Sequence, residues 1–251
     1  TPGLLTGHYD IYTIKYNSSG IEQWARRYNG IANGSDEPTS MAVDIYGNVY
    51  VTGSSYGTVT SFDYVTIKYS SSGVEEWVQR YNFYDNVDVA SSIAVDLYGN
   101  VYITGGCVGE SGYSDIVTIM YNTFGTQLWA ANYNGPGNFG DAGRSITVNE
   151  DGNVYITGTR SGEGTSGQDI ATIKYNSAGL QQWVAIYDGS NGSVGYEGGI
   201  EITLDKNKNV YVAGFSLRSR GVFENVTIKY KPNGIEEWAE SYAGAMTNYG
   251  N

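Results

Sequence analysis

The feature that most constrains the fold is an internal repeat marked by tryptophan. Trp24, Trp77, Trp129, Trp183 and Trp238 stand 52 to 55 residues apart. Each lies in a copy of one phrase, which reads "DIYTIKYNSSGIEQWARRY" at 10–28 and "DYVTIKYSSSGVEEWVQRY" at 63–81. A second phrase, "DIYGNVYVTG" at 44–53, recurs in three variants, at 96–105, 149–158 and 205–214. Self-similarity at this period predicts an array of one repeated supersecondary unit.

Each full unit reads as four short strands. In the second repeat we place them at 40–44, 49–52, 63–69 and 74–81, joined within each pair by the polar turns "DIYGN" and "YSSSG". Short Gly-bearing turns connect antiparallel strands, whereas parallel strands need long crossovers. A four-stranded meander of about 53 residues is typical of a propeller blade. The sequence therefore predicts an all-β fold, a five-bladed β-propeller of four-stranded antiparallel blades.

The repeated phrases resemble the SBBP β-propeller repeat family over almost the whole chain. The resemblance implies one propeller domain over residues 1–251. It also implies an extracellular or cell-surface protein, because the family is mostly known from such proteins of bacteria and archaea. The chain begins with Thr1, so we expect a mature chain whose signal peptide was removed, or a domain of a longer polypeptide.

The repeat is incomplete at one blade. Five third strands and five fourth strands can be found, but only four first strands, and residues 4–7 stand where "VYVTG" stands elsewhere. We predict a closed ring, with an open-edge assembly as the alternative. Residues 245–251, a longer polypeptide or a neighbouring subunit would then supply the missing strand, because an unpaired edge invites another chain to pair.

Charge limits the partners. A net charge of −12 and a pI near 4.4 repel phosphate backbones and anionic membranes, so proteins, sugars and cations remain. No apolar run is long enough for a transmembrane segment, and Cys107 is the only cysteine, which excludes an intrachain disulfide. Asn-x-Ser/Thr triplets support secretion only weakly; they occur at Asn17, Asn33, Asn191 and Asn225.

Two repeated sets of acids fall on the long loops, where recognition residues usually lie. The first set precedes each first strand by four residues: Asp36, Asp88, Asp141 and Glu197. The second set opens each third strand: Asp10, Asp63, Asp115, Asp169 and Glu224. Carboxylates repeated around an axis could bind calcium (Ca²⁺), which prefers several oxygen ligands. The alternative is that each acid caps the amides of its own loop. We expect no other cofactor.

Two further residue types repeat inside the strands. Each tryptophan is followed four residues later by a tyrosine on the same face of the strand. This pattern favours packing between blades over a ring of ligand platforms. A lysine also repeats in the third strand, and Met120 replaces it in one repeat. We therefore expect the packing of this side chain to matter as much as its charge. The repeated lysines are Lys15, Lys68, Lys174 and Lys229.

Catalytic constellations are missing. His8 is the only histidine, which nearly excludes Ser-His-Asp and Cys-His chemistry. The first hypothesis is therefore a non-enzymatic structural or protein-interaction propeller that self-associates or binds proteins through the long-loop rim or an open blade edge. The second is a lectin that stacks glycans on loop aromatics, namely Tyr56, Phe62, Tyr84, Tyr113, Phe139, Tyr196 and Phe223. The third is a glycosidase using carboxylates such as Asp36 and Asp141.

Overall fold

A computed structural model describes residues 7–136, 139–162, 167–189, 195–218 and 222–243. These residues form strands, turns and loops, and no helix occurs among them. The described residues therefore contain no helix that could span a membrane. The chain divides into two compact units, residues 1–132 and residues 133–251.

The first unit contains a two-stranded hairpin and two four-stranded sheets, each a meander of neighbours in sequence. The hairpin is β1 (Ile11–Tyr16) and β2 (Glu22–Tyr28). Sheet I is β3 (Asp36–Val43), β4 (Val49–Tyr56), β5 (Phe62–Tyr69) and β6 (Glu75–Tyr81). Sheet II is β7 (Asp88–Val95), β8 (Val101–Val108), β9 (Ser114–Tyr121) and β10 (Gln127–Tyr133), whose last residue opens the second unit.

The second unit contains eight strands in two meanders. Sheet III is β11 (Ala142–Val148), β12 (Val154–Ser161), β13 (Gln168–Tyr175) and β14 (Gln181–Tyr187). Sheet IV is β15 (Tyr196–Leu204), β16 (Val210–Arg218), β17 (Val222–Tyr230) and β18 (Glu236–Tyr242). A single parallel pairing of Gln168 with Tyr196 joins sheets III and IV.

The predicted all-β class and antiparallel meander are confirmed, but five separate four-stranded sheets are not what the described residues form. The hairpin has two strands, and sheets III and IV are connected. Residues 4–6 and 245–251, invoked above for the incomplete blade, lie outside the described residues, as does Asn191. A closed ring and a single domain over 1–251 stay predictions.

The first strands are longer than predicted. In sheet I, pairing starts at Asp36 opposite Ser55 and passes a bulge between Pro38 and Ser40. The bulge brings the Glu37 carbonyl so close to Gly53 that a Cβ there would lie 2.0 Å from the oxygen. The glycine of "VYVTG" is therefore required by backbone contact.

The "DIYGN" turn is fixed by its aspartate. One Asp44 oxygen accepts hydrogen bonds from the backbone N–H groups of Tyr46 and Asn48, each at 2.9 Å. The other accepts from Asn48 Nδ2 at 2.8 Å and from the Tyr50 hydroxyl at 3.1 Å. Asp96 and Asp205 hold their turns in the same way. The repeated phrase is thus a self-capping turn.

The inner strands carry the core. Val49 to Ser55 in β4 and Asp63 to Tyr69 in β5 are buried at every position, on both faces. Burial on both faces requires neighbouring layers on each side. Within the first unit the hairpin and sheet II supply hydrophobic partners for sheet I.

Candidate functional site

A tryptophan packs into a repeated pocket of the next strand group, which we call the Trp socket. A socket consists of the tyrosine that ends a third strand, the main-chain carbonyl two residues later and the glycine two residues after that. Trp24 lies 6.0 Å from Tyr69, ring centroid to ring centroid, and its Nε1 donates to the Ser71 carbonyl at 3.2 Å. A Cβ on Gly73, whose φ is +82°, would lie 2.6 Å from the Trp24 ring.

The same socket recurs in both units. Trp77 lies 6.2 Å from Tyr121 and donates to the Thr123 carbonyl at 3.1 Å, and Gly125 faces its ring. Trp183 lies 6.4 Å from Tyr230 and donates to the Pro232 carbonyl at 3.1 Å, and Gly234 faces its ring. These aromatics therefore hold neighbouring strand groups together.

The repeated lysines complete the socket. Lys15 donates to the Ser71 carbonyl at 2.9 Å and Lys68 to the Thr123 carbonyl at 3.0 Å, beside the indole bonds. Lys68 also pairs with Glu76 of its own sheet at 2.9 Å. These lysines therefore bond to main-chain carbonyls of the next strand group, a contact that stays satisfied whichever residue type occupies the receiving turn.

The hairpin carries the socket residues Tyr16, Ser18 and Gly20, but its outer face is open. Tyr12, Ile14 and Tyr16 are 61%, 44% and 55% exposed, whereas their counterparts in sheet I, Val65, Ile67 and Tyr69, are at most 1% exposed. A Cβ on Gly20 would meet nothing within 4 Å. We call this surface the hairpin face.

The last tryptophan is also exposed. Trp238, on β18 of sheet IV, is 38% exposed, whereas Trp24 in its socket is 7% exposed. Tyr242, four residues later on the same strand, is 68% exposed. Sheet IV thus presents an indole of the kind that every socket receives, and we call this surface the Trp238 face.

The first set of predicted site acids is buried and turned into the loops. Asp36 and Asp88 begin β3 and β7, and their carboxylates accept the N–H groups of Gly30 at 2.7 Å and Phe83 at 2.6 Å. Asp141 accepts from the N–H of Gly135 at 2.5 Å. Glu197, inside β15, accepts instead from the Ser216 hydroxyl at 3.0 Å. Asp36, Asp88 and Asp141 therefore accept loop amides, the arrangement described by the capping alternative, whereas Glu197 bonds to a neighbouring strand.

The second set forms side-chain pairs near the strand starts. Asp10 pairs with Arg27 at 2.5 Å and Asp63 with Arg80 at 2.7 Å. Asp115 accepts from Asn132 at 3.0 Å, and Asp169 pairs with Arg160 at 3.1 Å. The hydrogen-bonding partner thus differs from repeat to repeat, whereas these four repeats all have an aspartate at this position.

The structure brings one acid of each set together across neighbouring strand groups. Burial raises the pKa of Asp88 to about 6, and the negative charge of Asp63 acts in the same direction against the hydrogen bonds from Phe83 and Cys107. Burial raises the pKa of Glu197 to about 7, with Asp169 and Asp188 adding to the rise and Ser216 opposing it. Burial also raises the pKa of Asp169 despite the Arg160 guanidinium.

Asp188 is a site residue that sequence reasoning missed. It directly follows β14, where three of the other repeats have Asn29, Asn82 and Asn134 and the last repeat has Ala243. One oxygen or other ligand atom from each of Asp169, Asp188 and Glu197 lies within 4.8 Å of the other two. The sequence signal that could have identified Asp188 is the replacement of a repeated amide side chain by a carboxylate.

A cleft of about 380 Å³ holds two of the aromatics predicted to bind glycans. Tyr56 and Phe62 line it together with His8 and Asn33. Their rings are 5.4 Å apart in an edge-on arrangement, and Tyr56 is 43% exposed. The aromatics predicted in other loops do not occupy the same repeat position, so this cleft belongs to one loop region.

Comparison with known proteins identifies the repeat. The SBBP family model, described as a β-propeller repeat, matches residues 23–59 and 76–105. These two segments are SBBP β-propeller repeats. They include Trp24, Trp77 and the self-capping aspartates Asp44 and Asp96, whereas the socket residues at 69–73 and 121–125 lie outside the matched segments.

Two relatives extend the likeness. An uncharacterised WD repeat-containing protein of Acanthamoeba polyphaga mimivirus is 24% identical; the match takes in 97% of this chain but 19% of that protein's length. An α-L-arabinanase of Penicillium chrysogenum, solved with arabinobiose, superposes with a TM-score of 0.58 at 12% identity, covering 82% of this chain and 66% of the arabinanase. At that identity the likeness is one of fold.

A fucose lectin of Kordia zhangzhouensis, solved with methyl-fucoside, also aligns. Its TM-score is 0.32 at 11% identity, over 82% of this chain and 96% of the lectin. A score this low carries no argument about function.

Proposed function

We propose that this chain is a non-enzymatic structural and protein-interaction propeller of the extracellular space or cell surface, and that it joins to further copies of itself by sheet stacking. The observation that carries the proposal is the hairpin face, which has a complete set of socket residues and stays exposed. The SBBP resemblance supports the extracellular location.

The exposed surfaces match each other chemically. Every socket described above receives a tryptophan, a lysine and an apolar strand face from the preceding strand group. The hairpin face offers Tyr16, the Ser18 carbonyl and Gly20, and the Trp238 face offers the indole and Lys229. Seating Trp238 of one copy on the hairpin face of another would repeat the contact that Trp24, Trp77 and Trp183 make in the sockets described above.

The stacking of one copy on the next is head-to-tail. Such a heterologous contact joins two different surfaces, so each copy keeps one of each available, and it builds chains or rings instead of stopping at a dimer. The unpaired edge of β1 adds a second attachment, because β1 pairs with β2 alone among the described strands. Beside this edge lies a cleft of about 550 Å³ lined by Tyr12, Ile14, Met41 and Val51.

Sedimentation velocity across a protein concentration series tests the proposal. The wild-type chain is expected to shift to larger species as concentration rises, with a blue shift of tryptophan fluorescence when Trp238 becomes buried. Trp238→Ala and Tyr16→Ser should each abolish the shift from one side of the contact. Tyr46→Ala, which removes a tyrosine that is 71% exposed in a turn, serves as the matched control.

The outcomes are decisive. A wild-type chain that stays monomeric at every concentration overturns self-association. The proposed contact is also rejected if Trp238→Ala and Tyr16→Ser both fold, as verified by circular dichroism, and still associate. The copies would then meet through a surface other than the hairpin face and the Trp238 face.

The aromatic cleft favours glycan binding as the second candidate function. Tyr56 and Phe62 could stack against a sugar face while Asn33 and His8 hydrogen-bond its hydroxyls. A glycan array with the wild-type chain and Tyr56→Ala tests it. Specific binding that is lost in the variant supports a lectin activity, and an array without binding rejects it.

A further inference from the structure

Three carboxylates from three elements of the second unit converge at one point. Asp169 lies at the start of β13, Asp188 directly after β14, and Glu197 near the start of β15. One ligand oxygen of each lies within 4.8 Å of the other two. Asp188 is exposed, Asp169 is partly buried and Glu197 is fully buried, so the group runs from the surface inward.

The buried member of the group lacks a donor on one oxygen. Glu197 is 0% exposed; its Oε1 accepts from the Ser216 hydroxyl at 3.0 Å, and its Oε2 has no hydrogen-bond donor among the described residues. Its counterparts Asp36, Asp88 and Asp141 each accept a backbone N–H on one oxygen, and the other oxygen of Asp36 and of Asp88 likewise has no donor among the described residues. Glu197 differs in facing two further carboxylates. A buried carboxylate oxygen without a donor is costly unless a cation or a proton satisfies it.

Among the described residues, a group of three such carboxylates occurs in this repeat alone. In the first unit, Asp63 and Asp88 form a corresponding pair, and Asn82 occupies the position of Asp188. The exchange turns two carboxylates into three. Arg160 contacts one of them, through Nε and Nη2 to the Asp169 Oδ2 atom, at 3.2 and 3.1 Å.

We propose that Asp169, Asp188 and Glu197 bind a divalent cation of the Ca²⁺ class. Hard cations of this kind take several carboxylate oxygens and complete their shell with water. Two oxygens on opposite sides of Ca²⁺ are separated by about twice the metal–oxygen distance of 2.3–2.6 Å, so oxygens within 4.8 Å of one another can contact one ion. The cation would tie the residues after β14 to sheets III and IV.

Isothermal titration calorimetry of the full chain tests the site, after treatment with EDTA and dialysis, with CaCl₂ as titrant. The expected result is one site per chain. Thermal unfolding should move to higher temperature with CaCl₂, because a ligand that binds only the folded state stabilises it. Terbium(III), excited through nearby tyrosines such as Tyr187, gives a second readout.

The variants separate a built site from general attraction to an acidic protein. Asp188→Asn introduces the amide that three other repeats have at this position, so the variant should fold, and its affinity is expected to fall at least about tenfold. Glu150→Gln removes an acid whose side chain is 72% exposed and lies outside the group, and it should bind as the wild type does. The proposed site is rejected if the wild type does not bind Ca²⁺. It is also rejected if Asp188→Asn and Glu150→Gln lose the same amount of Ca²⁺ affinity.

Discussion

At the scale of single residues, a few side chains decide whether strand groups can pack. The socket glycine is the clearest case, because it combines a left-handed backbone with direct contact to an indole. Gly73 has a φ of +82° and faces the Trp24 ring, whereas Gly20 has a φ of +74° and faces open space. Comparing substitutions at the two glycines therefore separates the free-energy cost of placing a Cβ on a left-handed backbone from the cost of its clash with the indole.

Gly73→Ala is expected to destabilise the protein more than Gly20→Ala. Gly20→Ala should cost about 1 kcal/mol, because a non-glycine residue is strained at positive φ. Gly73→Ala should cost about 2–4 kcal/mol, because its Cβ must also displace Trp24. Urea unfolding followed by tryptophan fluorescence measures both. Equal losses would show that the Gly73–Trp24 contact does not constrain the fold.

The pKa of Asp88 predicts the sign of a pH effect. Its pKa is raised from 3.8 to about 6 in the folded state, so the folded state binds more protons than the unfolded state between these values. The contribution of Asp88 to stability is therefore lost as the pH rises from about 4 to about 6. Relative to the wild type, Asp88→Asn should gain up to about 3 kcal/mol across this interval.

Asp44→Asn is the control of opposite sign. Burial raises the pKa of Asp44, but the hydrogen bonds from Asn48, Tyr46 and Tyr50 outweigh it and lower the pKa below its usual value. Asp44 therefore stabilises the folded state above about pH 4, and this stability is lost on acidification. Denaturant titrations at several pH values should show the two variants diverging from the wild type in opposite directions; parallel curves would contradict both assignments.

At the scale of elements, the hairpin differs from every four-stranded sheet. Among the described strands, β1 has one hydrogen-bonded neighbour, whereas its counterpart β5 has two. The face that is buried in β5 is exposed in β1. An element with fewer partners opens with a smaller free energy than a central strand.

Hydrogen exchange should resolve this difference. In dilute protein, the β1 amides that point away from β2 are expected to exchange fastest among the strands. The amides of β4 and β5 should exchange slowest, because both faces and both edges of these strands are covered. Mass spectrometry of peptides covering 10–28 and 63–81, which share one sequence phrase, makes the comparison direct. Equal protection of the two segments would show that β1 is covered in solution.

At the scale of the whole molecule, charge opposes the assembly that the apolar surfaces favour. The net charge of −12 makes copies repel one another at neutral pH. The hairpin face and the Trp238 face attract mainly through aromatic and apolar area, which salt does not screen.

Raising the salt concentration is therefore expected to strengthen self-association. Sedimentation at low and at high sodium chloride measures the effect, with Trp238→Ala as the variant that should stay monomeric under both conditions. Dissociation of the wild-type assembly by salt would point instead to a contact held by ion pairs.

Sequence periodicity alone determined the strand meander, because tight turns such as Asp44–Asn48 are closed by neighbours in the chain. It also identified the tryptophans as packing residues, since a ligand site has no need to recur at every repeat. The sequence indicated that one blade is incomplete, but it did not determine that this blade is reduced to a two-stranded hairpin among the described residues or that one parallel pair connects sheets III and IV.

Only the tertiary structure decided which residues meet across strand groups. Trp24 meets Tyr69, and Asp169 meets Glu197, through contacts between residues far apart in the chain. The same contacts decided that Tyr16 and Trp238 are exposed and that Asp188 joins two other carboxylates. Local propensity fixes a strand and its turn, whereas burial and convergence depend on what packs against each face, and that is settled when the sheets assemble.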